Sequence, residues 1–215
     1  MDQNQEKLLY SATIYDGFGH PASKCGLCFE MVGTSETLRF RVMNVVFDSS
    51  KYSREHVAFY DMADNAFSVV HQFNGNPNVT SRIVACDYQG PLKLKTTKDT
   101  SEWYYEFVVF EHTLGVKSVE IKEDEDDEFV QLSRTSYNTW SFRTDDDDIP
   151  FKFPLTARVY SIAGDYVDIP NLTGEKEKEF EAETNFPIPT NKYFDYNTLE
   201  MYDKPPTRRT KSSPF

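Results

Sequence analysis

The chain is poor in the residues that build metal and redox centres. Only three cysteines and four histidines occur among its 215 residues. A structural zinc site needs four sulfur or nitrogen ligands, which normally come as paired CxxC or HxxxH groups. Here a single CxxC, Cys25 with Cys28, stands alone, and Cys86 is the one further cysteine. The sequence therefore predicts no metal site and no cofactor.

The stretch KCGLCFEMV, which contains both cysteines of the CxxC, leaves two other uses open. A redox dithiol belongs at the start of a helix inside a βαβ unit, whereas Cys28 runs into Phe29, Met31 and Val32, which have the pattern of a strand. A disulfide between one member of the pair and Cys86 remains possible from the residues alone.

Basic residues and long apolar runs are also scarce. The chain has 23 Lys and Arg against 35 Asp and Glu, a net charge of -12 and a pI near 4.8. Binding to nucleic acid or to an anionic membrane surface needs clustered basic residues, so neither partner is expected. No apolar run approaches the roughly 18 residues of a membrane span, so no membrane insertion is expected.

The opening segment MDQNQEKLLYSATIYDG lacks the basic, apolar and small-residue regions of a signal peptide. We therefore expect either a chain that is not exported or a numbering that begins after processing.

What the chain has in abundance is aromatic side chains, at 15% of residues, which suit strands and flat binding faces. Its length fits one large β domain or two of about 100 residues each. In the first half, LRFRVMNVVF (Leu38 to Phe47) alternates as a half-buried strand does. DMADNAFSVVHQF predicts one short helix, for which Asp61 is the N-cap candidate.

From about Pro91 the pattern is β throughout. EWYYEFVVFEH, VKSVEIKE, DEFVQLSR and PLTARVYSI are strand candidates at fairly even spacing, which predicts a small antiparallel sandwich. The acidic runs EDEDD and TDDDDIP fall where loops are expected. They lack the alternating ligands and turn glycine of a calcium site, so we interpret them as solvated loops.

After Asn171 the chain becomes polar and proline-rich, without sustained periodicity. It is predicted to be an extended arm outside both domains.

Several strings of this sequence resemble those of expansins. KCGLCFEMVG is similar to the family's CGxCYEV strand, FYDMADNAFSVV to its HFDLSxxAF stretch, and SRIVACDYQGPLKLKT to its RxVPCxxxGxI link. SEWYYEFVVFEH and LSRTSYNTW are similar to SxWWxxxxVxNH and MxRxxYNxW of its second domain. The likeness runs in family order from about Tyr10 to Asn171.

The resemblance implies an all-β fold: a double-psi β-barrel followed by an immunoglobulin-like β-sandwich. We place the barrel-like domain at residues 1–86, the sandwich at 87–173 and the arm at 174–215. The resemblance also implies a disulfide between Cys28 and Cys86, which would be worth about 4 kcal/mol, and leaves Cys25 as a lone thiol.

For the barrel, the resemblance places the family's functional Asp at Asp61 and a second family Asp at Asn44. Expansins loosen walls without measurable hydrolysis, and glycosidic cleavage needs two cooperating carboxyl groups, so no enzyme activity is expected. A role of Asp61 in the groove and a role as helix N-cap remain open. LYSATIYDGFG aligns better with the segment before the family's cysteines than with its opening strand, which bears ATxY. The barrel is therefore expected to lack that strand and its Thr, and to be incomplete.

For the sandwich, the resemblance makes Trp103, Tyr104 and Tyr137 the sugar-binding aromatics. Trp103 and Tyr104 are adjacent, so on a regular strand they would face opposite ways. A shared platform needs a bulge or loop there, and the alternative is that one of the two rings belongs to the core.

Three hypotheses of function follow. The first is a non-enzymatic structural protein of a large assembly, such as a virus coat, minor capsid or surface layer, that docks on neighbouring subunits through its arm, in a virion or an intracellular assembly. The alternative is a secreted expansin-like protein that binds β-glucan or another wall polysaccharide and loosens it without hydrolysis. The third is a lytic enzyme that uses Asp61.

Overall fold

The structure is a computed structural model. It describes residues 10–15, 21–33, 35–46, 59–71, 79–144, 150–189, 193–194 and 201–202. The first domain contains five strands: β1 (Tyr10–Tyr15), β2 (Cys28–Val32), β3 (Thr37–Val46), β4 (Phe59–Met62) and β5 (Thr80–Val84). A 3-10 helix (Pro21–Lys24) precedes β2, and the helix α1 (Asp64–Val70) follows β4. The strands form one sheet in the order β4-β1-β3-β2-β5.

The sheet of the first domain curves so that its two edge strands approach each other. Alternate residues of its strands are buried on the inner side: Ala12, Ile14, Phe29, Met31, Leu38, Phe40, Val42 and Ile83. The ring of Tyr60, on β4, packs 5.4 Å from the ring of Phe40, and its hydroxyl lies 2.6 Å from Ser81 Oγ on β5. β4 and β5 are the two edge strands of the sheet, so a contact between them requires the sheet to curve. This half-barrel sheet confirms the predicted fold class of an incomplete barrel, although the strand that was expected to be missing is present as β1.

The second domain is a sandwich of two sheets. Its nine strands are β6 (Lys93–Thr96), β7 (Tyr104–Phe110), β8 (Val116–Glu123), β9 (Val130–Gln131), β10 (Ser133–Arg134), β11 (Thr139–Arg143), β12 (Leu155–Ser161), β13 (Tyr166–Leu172) and β14 (Glu179–Glu181). One sheet has the order β10-β11-β7-β6-β14 and the other β13-β12-β8-β9. The all-β prediction is confirmed, although the sequence patterns did not predict β13 or β14.

The predicted arm is wrong for its first part, because residues 174–189 belong to the sandwich. β14 pairs antiparallel with β6 and extends that sheet by one strand. Phe180 lies opposite the buried Leu94, and Phe186 is only 2% exposed. Three paired residues between charged neighbours are too few to show a period of two, which is why the pattern was not visible.

Little of the remaining arm is described. Its strands β15 (Tyr193–Phe194) and β16 (Met201–Tyr202) pair antiparallel. The basic end that was expected to meet a neighbouring subunit, Arg208 to Lys211, lies outside the described residues. Within the described part of the chain, no helix is long and apolar enough to cross a membrane.

Asn185 fastens the last part of the sandwich to the start of the domain. Its amide nitrogen donates to the carbonyls of Gly90 (2.9 Å) and Glu111 (2.7 Å). Its amide oxygen accepts from the backbone N–H and the hydroxyl of Thr113, at 2.9 and 3.0 Å, and from the N–H of Phe186. One side chain therefore ties three separate segments together.

The two domains meet at a tightly packed junction. A disulfide joins Cys28 to Cys86, 58 positions apart, and the N–H of Cys86 donates to the carbonyl of Thr113 at 2.8 Å. Beside it, the buried His112 lies against Gly26. A Cβ on that glycine would come within 2.6 Å of His112 Nε2, and its φ of +83° also favours glycine. No larger residue fits at position 26 without displacing the imidazole.

The substitution Asn185→Asp tests the fastening role of that side chain. A carboxylate keeps the size but cannot donate to the carbonyls of Gly90 and Glu111. We expect the free energy of unfolding to fall by about 2 kcal/mol, measured by urea denaturation. Asn65→Asp, on the exposed surface of α1, is the control and should change little. An unchanged midpoint for Asn185→Asp would contradict the role.

A second prediction concerns the pH dependence of stability. Burial, with a contribution from the Arg41 charge, lowers the pKa of His112 to about 3, whereas an unfolded histidine titrates near 6.5. The unfolded chain therefore binds the extra proton as pH falls below 6.5, and the folded state loses stability. Between pH 6.5 and pH 5 we expect a loss of about 1.5 kcal/mol.

Denaturant titrations at several pH values check this expectation. His112→Gln, which cannot titrate, should flatten the dependence in that range. If His112→Gln keeps the wild-type slope, another group is responsible.

Candidate functional site

One candidate site is a row of residues across three strands of the first domain. β1 pairs antiparallel with β4, where Thr13 lies opposite Asp61, and parallel with β3, where Thr13 lies opposite Asn44. Directly opposite residues share a face of the sheet. Since Ala12 and Ile14 are buried on the inner side, Thr13 and Asp61 face the other side, and Asp61 is exposed there.

The interpretation of Asp61 as a helix N-cap is wrong. Asp61 lies within β4, and the cap position of α1 is Ala63, which makes no side-chain capping bond. Strand pairing with Thr13 takes precedence over the local preference of Asp for helix starts. Asp61 is thus left free of a capping role and stands beside the hydroxyl-bearing Thr13.

The expectation of a missing opening strand is also wrong. Residues 12–15 spell Ala-Thr-Ile-Tyr, which fits the ATxY string, and they form β1 in the interior of the sheet. The alignment of this segment with the region before the cysteines concealed the match. The strand and its Thr are therefore present, and Thr13 occupies the middle of the row.

The same outer face bears a charged cluster on β2, β3 and β5. Glu30 accepts from Arg39 Nε at 3.2 Å and from Arg82 Nε at 2.8 Å. Burial raises the pKa of Glu30, but the hydrogen bonds from Arg82 and Arg39 outweigh that effect and hold the pKa below its ordinary value. Because Arg39 also pairs with Asp87 at 3.4 Å, the cluster reaches the first residues of the second domain.

The second candidate site is the outward face of the five-stranded sheet in the sandwich. Along β7, Tyr105, Phe107 and Val109 are buried, whereas Tyr104 and Glu106 alternate with them and are half-exposed. Trp103 lies in a bend just before β7 and is also half-buried. A shared platform of Trp103 and Tyr104 needs a bend or loop at this point, and Trp103 lies in one, whereas Tyr105 is buried in the core.

Tyr137 lies on the same sheet at the other end of this face. It sits in the turn between β10 and β11 and is 89% exposed, the largest value among the exposed apolar side chains of the described residues. Tyr104 lies opposite Arg143, and Val108 opposite Thr139, two residues after Tyr137. These ladder positions are four residues apart, or about 13 Å. Tyr104 and the turn that carries Tyr137 therefore lie at different positions along the β7–β11 ladder.

The opposite sheet has an aromatic cluster that sequence reasoning missed. The guanidinium of Arg158 lies 4.2 Å from the ring centroid of Phe129 and 4.3 Å from that of Tyr166. Arg158 donates to both oxygens of Asp168, at 2.8 and 2.9 Å. These hydrogen bonds raise the pKa of Arg158. The register of β12 and β13 brings Arg158, Tyr166 and Asp168 together, and Phe129 joins them from the residue before β9, so no local sequence signal marked the cluster.

No metal centre accompanies either site in the described residues, where no group of three or more His, Cys, Asp or Glu side chains is placed to hold an ion. Cys25 is a free thiol, whose pKa is raised by burial.

Comparison with known proteins finds similar sequences and folds. The family model for the expansin-like protein middle domain matches residues 86–187. Expansin-like protein 2 of Dictyostelium discoideum is 29% identical over 188 residues, covering 86% of this chain and 44% of that protein. Expansin-like protein 7 of the same organism is 30% identical over 118 residues, covering 52% and 20%. The chain is similar to the expansin-like proteins over most of its length.

Solved structures agree on the fold of this expansin-like chain. The apo expansin of Clavibacter michiganensis superposes with a TM-score of 0.65 at 18% identity, over 82% of this chain and 84% of that one. A variant of the same expansin in complex with cellohexaose gives 0.65 at 20% identity, over 81% and 84%. The chain spans less than half the length of the two Dictyostelium relatives described above. The family match ends at residue 187, in accord with the packing of residues 174–189 on the sandwich.

Proposed function

We propose that this expansin-like chain binds a cell-wall polysaccharide of β-linked glucosyl units on the outward face that bears Trp103, Tyr104 and Tyr137, and that it loosens the polymer without cleaving it. The binding face is defined by these three rings on one side of the sandwich.

The observation that carries the proposal is the exposure of Tyr137 at 89%, in the turn that leads into β11, with Tyr104 half-exposed on the neighbouring strand β7. Stacking of an exposed ring on an apolar surface is favourable, and each pyranose of a β-linked glucan offers such a surface. A row of separate rings suits a long ribbon-like ligand better than a small compact one.

The relatives add support of a different kind. The expansin-like family and the expansin solved with cellohexaose are similar to this chain in fold, and a glucan oligomer is the ligand bound by that protein. The Cys28–Cys86 disulfide is typical of proteins outside the reducing cytosol. It fits a secreted protein that meets wall polymers.

The absence of cleavage is supported by the row in the first domain. Hydrolysis of a glycosidic bond requires one carboxyl group as acid and another as base or nucleophile. The row offers Asp61 and Thr13, and the residue at the position of a second carboxylate is the amide Asn44. Neither an amide nor a hydroxyl can replace it in proton transfer near neutral pH.

The assembly hypothesis drawn from the sequence is not adopted. It relied on an open edge where a strand was thought to be missing and on an arm free to dock on neighbours. β1 occupies the interior of the sheet, and residues 174–189 pack on their own sandwich. The comparisons give no support to a capsid or surface-layer role.

Replacing Trp103 and Tyr137 together by Ala should remove binding to insoluble cellulose, because each stacked ring contributes on the order of 1 kcal/mol or more. Sedimentation of the bound protein measures this. The control is Tyr166→Ala, an exposed ring on the opposite sheet, which should bind as the wild type does. Equal retention of the wild type and the double variant would refute the proposed face.

Incubation with β-glucan should release no reducing sugar above the background of a heat-denatured sample, because the row lacks a second carboxylate. Asp61→Ala should leave that result unchanged. Sugar release by the wild type that is lost in Asp61→Ala would instead establish a lytic enzyme.

A further inference from the structure

We propose that Glu106 is a positioning residue for glycan binding: through a directed chain of threonine hydroxyls it sets the turn that presents Tyr137. This inference rests on the proposed function, since it concerns how the same face is prepared for its ligand. Glu106 and the threonines do not need to touch the glycan for this role.

Glu106 lies on the outward face of β7, two residues from Tyr104. Its two carboxylate oxygens are both engaged. Oε1 accepts from the hydroxyl of Thr139 at 2.6 Å, and Oε2 accepts from the hydroxyl of Thr97 at 3.0 Å. The carboxylate thus joins β11, on one side of β7, to the segment after β6 on the other.

The donor and the acceptor of each hydrogen bond beyond Thr139 follow from the number of protons that each group can donate. A threonine hydroxyl has one proton to donate, and a carboxylate can only accept. Thr139 gives its proton to Glu106, so in the 2.6 Å contact between the hydroxyls of Thr135 and Thr139 the donor is Thr135. The lone pairs of Thr135 Oγ1 then accept from the backbone N–H groups of Tyr137 and Thr139, each at 3.2 Å.

A second clamp holds the same turn from the buried side. Arg134 donates to Asn138 Oδ1 from Nε at 2.9 Å and Nη2 at 2.6 Å, and to the carbonyl of Val116 at 3.1 Å. Its guanidinium lies 5.0 Å from the ring centroid of Trp140, and Asn138 has a φ of +64°. The residue after Tyr137 is therefore fixed by Arg134, and the N–H of Tyr137 itself by the hydroxyl chain.

This double fixation matters because the Tyr137 ring has little support of its own. At 89% exposure it has few packing neighbours, so its position depends on the backbone beneath it. Ordering a mobile side chain on binding costs about 0.5–1.5 kcal/mol. A turn that is already ordered avoids part of that cost, which amounts to a factor of about threefold to tenfold in affinity.

The test compares two isosteric substitutions on either side of Glu106. Thr139→Val removes the hydroxyl that links Glu106 to the turn, whereas Thr97→Val removes the other hydroxyl on the same carboxylate. Titration with cellohexaose should show about a threefold to tenfold weaker affinity for Thr139→Val and wild-type affinity for Thr97→Val. Thr139→Ser, which restores the hydroxyl, should rescue binding. Thr135→Val should reproduce the loss one step further along the chain.

Two further readouts separate positioning from general stability. In a Tyr137→Ala background, Thr139→Val should cause no additional loss of affinity. Amide hydrogen exchange at Tyr137 should accelerate in Thr139→Val and stay unchanged in Thr97→Val, with or without glycan.

Equal weakening by the two valine substitutions, or a loss that persists without Tyr137, would overturn the inference. A wild-type chain that binds no glycan would overturn the proposed function, and the exchange rates would then judge the hydroxyl chain independently.

Discussion

The alternation of side chains along β7 is the constraint on which the second domain depends. Tyr105 and Phe107 are fully buried and fix the strand in the centre of its sheet. Because successive residues of a strand point to opposite faces, the same anchoring forces Tyr104 and Glu106 outward. The core therefore determines the position of the proposed binding face, and a shift of the strand by a single residue would turn the buried side chains outward and the outward ones into the core. The turn with Tyr137 is then set relative to this face by pairing of β11 with β7.

The parts of the fold that sequence could predict are those with long, regular alternation. The patterns in Leu38 to Phe47 and in EWYYEFVVFEH became β3 and β7 nearly as expected. The failures are short elements whose structure is decided by distant partners. β14 has three residues and exists because β6 offers it an edge. Asp61 is a good helix-capping residue locally, yet its pairing with Thr13 keeps it in a strand.

The residues of the candidate sites also fall into those that the sequence could predict and those that it could not. Trp103, Tyr104 and Tyr137 could be selected because each stands in a recognisable string of residues, but those strings do not specify the bend before β7 in which Trp103 lies. The hydroxyl chain could not be found at all. Thr97, Glu106 and Thr139 come from three segments that are far apart in sequence, and nothing about an isolated threonine indicates a hydrogen bond to a carboxylate on the neighbouring strand. Only the register of the sheet reveals it.

The interior place of β1 in its sheet has a consequence for the order of folding. β1 comes first along the chain, but its neighbours are β3, which runs parallel to it, and β4, which contains Asp61. During synthesis β1 cannot form these two pairings until β3 and β4 have both left the ribosome. Its buried Ala12 and Ile14 stay without partners for that time, and such nonlocal pairing slows folding and favours misassembly. The sheet of the first domain thus cannot be completed until β4 has been synthesised. In the sandwich, several of the paired strands, such as β6 with β7 and β12 with β13, follow each other directly in the sequence.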